Sequence, residues 1–436
     1  MSQAPSPALA AFVTLRASFF QHYLRAQPEE ATTLGLHHLD DRLKDLSPGA
    51  LGDEYALHRD TLARLERLPV EALPPSDQLD WYAMRDLARF HVHAYEDLRG
   101  HRRNLELSTY PYTMLQYQLA QADTADDWAA IASRTALIAP FLRQQEQLLA
   151  DGLAADEPPD AHTTREVTEE QLPLIVRSFE HLAEVPGAHQ LVLPAGALRA
   201  LRLAAREARE AFASHQRFLS ERVLPRARPS GVLGAEEYQW RMRHMFGLTA
   251  TPEELVRRAE EVLAWTVRTL GQLAPTLAEE LPGTPSRIAH LGEARAVLSR
   301  LEPHHPARDE DVIPLYRELV SHAEQFILEH ELFLVPDGLR LGIKALPPGM
   351  VDVRGTNWPA PLLDSRKVGW FVLAPMAAAH PTVWAALLAV HEGLPGHFLQ
   401  SVTWQRAFSH HPAPVRFLLV TDHVAMARGH FGPMLN

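Results

Sequence analysis

The sequence predicts an all-α chain, mostly helical, with one small β element. Three observations predict it. Apolar residues recur at three- and four-residue spacing, as in Leu62, Leu65 and Leu68 and again from Leu198 to Val223, with Arg and Glu between them. Helix starts are explicit: in Thr251-Pro252-Glu253-Glu254, Thr251 can cap free N–H groups, Pro252 suits the first turn, and Glu254 completes a capping box. Only one short run reads as a strand, Val368 to Leu373, bounded by charged residues and Pro375.

Taken in order, the N-terminal MSQAPSPALAAF lacks a basic start followed by a long apolar run, so no secretory signal is expected. Asp156 to Asp160 reads as an exposed loop, and Pro225 to Gly231 as a linker. The linker suggests an N-terminal helical lobe, 1–224, and a C-terminal lobe, 232–436, or else one continuous domain. Pro303 to Arg308 is a further turn region. The run Ala385 to Val390, just after Pro381, is apolar almost all round and is expected to form a buried helix. No internal repeat is visible.

Composition narrows the function. A chain of 436 residues, 46% apolar and 22% charged, builds an ordinary large globular core. Its net charge of −12 disfavours a nucleic-acid partner. No stretch is apolar for long enough to span a bilayer. There is no cysteine, which excludes thiolate catalysis and leaves His, Asp and Glu as the strong metal ligands. These features fit a reducing compartment, and a cytoplasmic location is expected.

The segment His391-Glu392-Gly393-Leu394-Pro395-Gly396-His397 carries the chemistry. A hydrolytic zinc site needs imidazoles or carboxylates on the metal, an open position for water, and a carboxylate base nearby. His391 and His397 supply imidazoles, and Glu392 the base. The spacing is unusual. In H-E-x-x-H the histidines stand four apart on one helical face. Here they stand six apart, which is roughly 240° around an ideal helix at about 100° per residue. Pro395 has no N–H for the His391 carbonyl, and Gly396 permits unusual dihedrals. A break at Pro395-Gly396 is needed to return His397 to His391; otherwise the segment is only the end of a helix.

The string from Val390 to Gln400 closely resembles the signature of the DUF885 family, which is grouped with the zincin-type metallopeptidases. Thr33-Leu34-Gly35-Leu36-His37 with Asp41-Arg42-Leu43 resembles its N-terminal motif. Gly234-Ala235-Glu236-Glu237-Tyr238 with Thr251 to Leu255 resembles its central motif. The resemblance covers nearly the whole chain. It implies a helical cradle around a deep cleft, zinc held by His391 and His397, and Glu392 as catalytic base acting on a peptide substrate. The strand before the active-site helix would offer an edge on which an extended peptide can pair. Arg366 would meet a substrate carboxylate, or simply Asp364.

The pattern departs at its end. The family's third ligand is the Glu of a Glu-Gly-Trp element, and here Met426, Ala427 and Arg428 stand in its place. Thioether sulfur is a poor zinc ligand beside carboxylate. Asp422 and His423 are the candidate substitutes. The competing expectations are an inactive peptide-binding remnant and an interrupted reading frame that truncates the chain. Two other histidine pairs, His37-His38 and His91-x-His93, show no evident third partner and are expected at the surface. Tyr110-Pro111-Tyr112 is expected to serve packing.

Overall fold

A computed structural model describes residues 6–418, apart from 185–191, 230–233, 281–282, 284, 302–303, 337, 340 and 347–353. The chain is mostly helical, with a single three-stranded sheet among the described residues. The expected capping box is formed: Glu254 donates its N–H to Thr251 Oγ1 at 3.2 Å, and Thr251 donates its own to Glu254 Oε2 at 2.9 Å. The helix that follows spans Pro252–Glu280.

Three apolar cores organise the helices. The largest joins Ala125–Ala136, Ile138–Ala154 and Leu172–His181 to the long helix Ala195–Phe218, with Ile131, Phe141, Phe179 and Phe212 at its centre. The apolar periodicity read from Leu198 onward is this helix's buried stripe, and its last turn, Leu219–Val223, widens to π geometry. A second core packs Phe12, Phe19 and Tyr23 of the helix Pro7–Ala26 against Leu65, Trp81 and Leu87. Leu362, Val415, Phe417 and Leu418 complete it. Apolar contact therefore runs across the linker read at Pro225 to Gly231.

The third core positions the site. Val312, Tyr316 and Val320 of the helix Val312–Glu329 pack on Phe371, Leu373, Ala385, Leu394 and Phe398. The sheet consists of β1 (Gly342–Ala345), β2 (Gly355–Trp358) and β3 (Trp370–Leu373), in the order β1-β3-β2. β3 runs parallel to β1 and antiparallel to β2, with Asn357 opposite Phe371. The buried His380 pins this core. Its Nδ1 accepts from the Tyr316 hydroxyl at 2.9 Å, and its Nε2 donates to the Ala374 carbonyl at 2.8 Å. Burial holds the Tyr316 phenol well above the ordinary tyrosine range.

The helix expected to be buried throughout is not. Ala385 and Ala389 face the core, but Leu387 is 58% exposed and Val390 44% exposed. The helix Thr382–Leu388 packs on one side only, and its other face is uncovered among the described residues.

Candidate active site

The helix Thr382–Leu388 runs directly into a π turn, Ala389–Gly393, which carries His391 and Glu392. Two physical features end it. Pro395 cannot continue the hydrogen-bond ladder, and Leu394 turns to extended geometry, with the Leu394–Pro395 peptide cis. Gly396 then donates its N–H back to the Val390 carbonyl at 3.0 Å. A Cβ at Gly396 would strike the His391 carbonyl, so this position requires glycine. Gly396 also caps the next helix, His397–Phe408, whose first turn closes from Gln400 N–H to its carbonyl at 3.2 Å.

The result is the return that the spacing demanded. The His391 and His397 rings lie with centroids 4.7 Å apart and planes at 83°. Both are exposed. The backbone beneath them is anchored: Leu394 and Phe398 are buried in the third core, and an added Cβ on Gly393 would come within 3.2 Å of Val320.

Glu392 is half-buried. Its Oε2 accepts the backbone N–H of Asn357 on β2 at 2.9 Å. The Asn357 side-chain amide is buried, and its Nδ2 has no hydrogen-bond partner among the described residues. Sequence reading missed Asn357, because Gly355–Trp358 is too short and too polar to register as a strand.

The expected strand forms as β3, trimmed to Trp370–Leu373, but its role needs correction. β3 is the middle strand, so both of its edges are already paired. The strand beside Glu392 is β2. Arg366 is tied to Asp364, its Nε donating at 3.0 Å, while its side chain is 83% exposed. Asp364 also faces His37 Nε2 at 3.2 Å, and His37 Nδ1 faces Asp40 at 2.9 Å. Tyr112 is buried and donates to Ser178, and Tyr110 stacks on Phe141, as packing residues do. Asp422, His423, Met426, Ala427 and Arg428 lie outside the described residues.

One of the histidine pairs separates completely. His93 stacks on Trp240 and faces Glu237 and Asp97, each at 2.7 Å. His91 turns the other way and meets Glu54 and His58, the partners that sequence reading did not find for it. The four-residue spacing of Glu54 and His58 on one helix was the available signal.

No helix among the described residues is long and apolar enough to cross a membrane. No curated protein matches the chain. Solved structures do. One is a provisionally designated lipoprotein of unknown function from Shewanella oneidensis, at 13% identity and a TM-score of 0.62, covering 96% of this chain and 79% of that one. Another, from Colwellia psychrerythraea and with the same provisional designation, matches at 12% identity and a TM-score of 0.72, covering 98% and 80%. At such identities the likeness speaks for the fold alone. A family model described as "Bacterial protein of unknown function (DUF885)" matches residues 28–424. That span is most of the chain, and the protein belongs to the DUF885 family.

Proposed function

We propose that the chain is a zinc-dependent peptidase with Glu392 as its general base. The observation that carries this reading is the juxtaposition of two exposed imidazoles, His391 and His397, with a carboxylate anchored beside them. The donor set suits zinc as far as it goes: two imidazole nitrogens, in a chain without thiolates, are two of the three protein ligands that a catalytic zinc site uses, and Asp422 and His423 are the candidates for the third. His391 and His397 would hold the ion. When bound, zinc supplies Lewis acidity that makes water nucleophilic near neutral pH.

The rest falls to the chain's own residues. Asn357 N–H fixes one oxygen of Glu392, which leaves Oε1 to take a proton from the attacking water and pass it to the leaving amine. The exposed faces of Leu387, on the helix, and Val390, on the turn leading to His391, favour apolar side chains on the substrate.

The test compares wild type with Glu392→Gln and with His391→Ala/His397→Ala, measuring zinc per chain and hydrolysis of a mixed peptide library. Glu392→Gln should keep zinc and lose hydrolysis. The histidine variant should lose hydrolysis together with the zinc held by this segment, which lowers zinc per chain by one. Undiminished hydrolysis by Glu392→Gln would sink the mechanism. Peptide binding by a wild type that holds no zinc and cleaves nothing would favour a non-enzymatic peptide-binding protein instead.

A further inference from the structure

A second cluster of metal-ligating side chains lies in the N-terminal half. Glu54 and His58 stand four apart on the helix Pro48–Leu65, hence on one face of it. His91 stands on the neighbouring helix Pro75–Glu96. One ligand atom from each lies within 4.8 Å of the other two. None of the three belongs to the His391–His397 segment.

His58 is the telling residue. It is fully buried, yet neither ring nitrogen has a hydrogen-bond partner among the described residues. Buried polar groups almost always find one, because an unmet group forfeits its hydration for nothing. Packing does not explain it. His58 sits edge-on to Phe19 and Tyr23, where a phenyl ring would fill the same space without two bare nitrogens. Its ring lies parallel to that of His91, at 4.0 Å and 3°.

We propose that Glu54, His58 and His91 form a site for a divalent transition-metal cation of the zinc class. Two imidazoles and one carboxylate are a ligand set such ions accept, and three protein ligands leave a coordination position open. All three residues line one cavity of about 190 Å³, which also carries Lys44, Tyr95 and His101, so the open position has room for water or a small ligand. Without metal, Glu54 is held by Gln27 at 2.6 Å and by the Lys44 ammonium at 3.0 Å. Binding exchanges that ammonium for the ion. It also requires the stacked rings to splay so that their lone pairs converge, and no hydrogen bond restrains His58 from doing so.

The experiment uses the full chain with zinc as probe, and metal per chain is measured after equilibrium dialysis. The background is His391→Ala/His397→Ala, which removes the site proposed for catalysis. That variant should still bind one zinc. Adding His58→Phe, which preserves the packing, or Glu54→Gln should abolish binding while circular dichroism and cooperative melting confirm the fold. If His58→Phe fails to fold, Glu54→Gln decides. Lys44→Met should tighten binding by removing the competing ammonium, an effect that a purely structural cluster would not give. Absence of zinc from the background variant, zinc that survives Glu54→Gln, or binding unimproved by Lys44→Met overturns the proposal.

Discussion

At Gly396 a single hydrogen atom in place of a side chain decides whether His391 and His397 can meet. An alanine there would push its Cβ into the His391 carbonyl. Gly396→Ala is expected to cost about 1–3 kcal/mol of stability, as strained backbone substitutions do, and to weaken zinc binding. Chemical denaturation and zinc titration check the two effects, and unchanged zinc affinity would show that the rings do not depend on this turn. His391, Glu392 and His397 were legible because they fall in one contiguous string. Their geometry was half legible: Pro395-Gly396 announced a break, but not the π turn that precedes it. Asn357 was not legible, since its bond to Glu392 joins positions 35 apart in the chain. His58 was hidden for the same reason. Its spacing from Glu54 is local, whereas His91 arrives by tertiary packing.

Among the elements, the helices followed their periodicity and caps, while the sheet largely escaped. Of its three strands only β3 has a continuous apolar run. β1 and β2 each hold four residues and begin with glycine, too little for alternation to show. The buried-helix expectation failed because an all-round apolar pattern records composition, not how many sides are covered. At the Pro252–Glu280 helix, Thr251→Ala removes the capping hydroxyl and should lower local stability by about 1 kcal/mol. Faster amide exchange in its first turns, measured by mass spectrometry, is the readout.

The segment before β3 is tied to the N-terminal helices by charge. The Arg366 guanidinium holds the Asp364 carboxyl at about 2, below its ordinary 3.8, with His37 assisting. A depressed carboxyl contributes stability that is present above its unfolded value and lost as pH falls through about 2. His37 has the opposite sign. Its hydrogen bond to Asp40 raises it, so its contribution is full below about 6.5 and fades as pH rises through its folded value. Asp364→Asn should therefore flatten the acid limb of stability, and His37→Gln should cost more at pH 5 than at pH 8. Denaturation midpoints across pH measure both.

For the whole molecule, the second core matters most. It draws Phe12 to Leu87 together with Leu362 and Ala413 to Leu418, so sequence-distant segments of the described residues share one apolar interior. Residues 1–224 alone keep the largest core but lose Leu362 and the Ala413 to Leu418 residues from the second core. That fragment is expected to melt at a lower temperature than the full chain and to bind hydrophobic dye. A fragment as stable as the full chain would instead support two independent lobes. The linker composition suggested a boundary, but composition does not record which surfaces later pair across it.

The bond between Glu392 and Asn357 has one more consequence, for solubility. Among the described residues β2 is an edge strand, and an edge with unpaired N–H groups invites strands from other molecules. Here the strand is four residues long, and its Asn357 N–H is occupied by the Glu392 side chain. Truncating Glu392 to alanine would therefore remove a proposed base and bare an aggregation-prone edge at once, whereas glutamine keeps an acceptor in place. Light scattering of the two variants at equal concentration should show the alanine form self-associating and the glutamine form remaining dispersed.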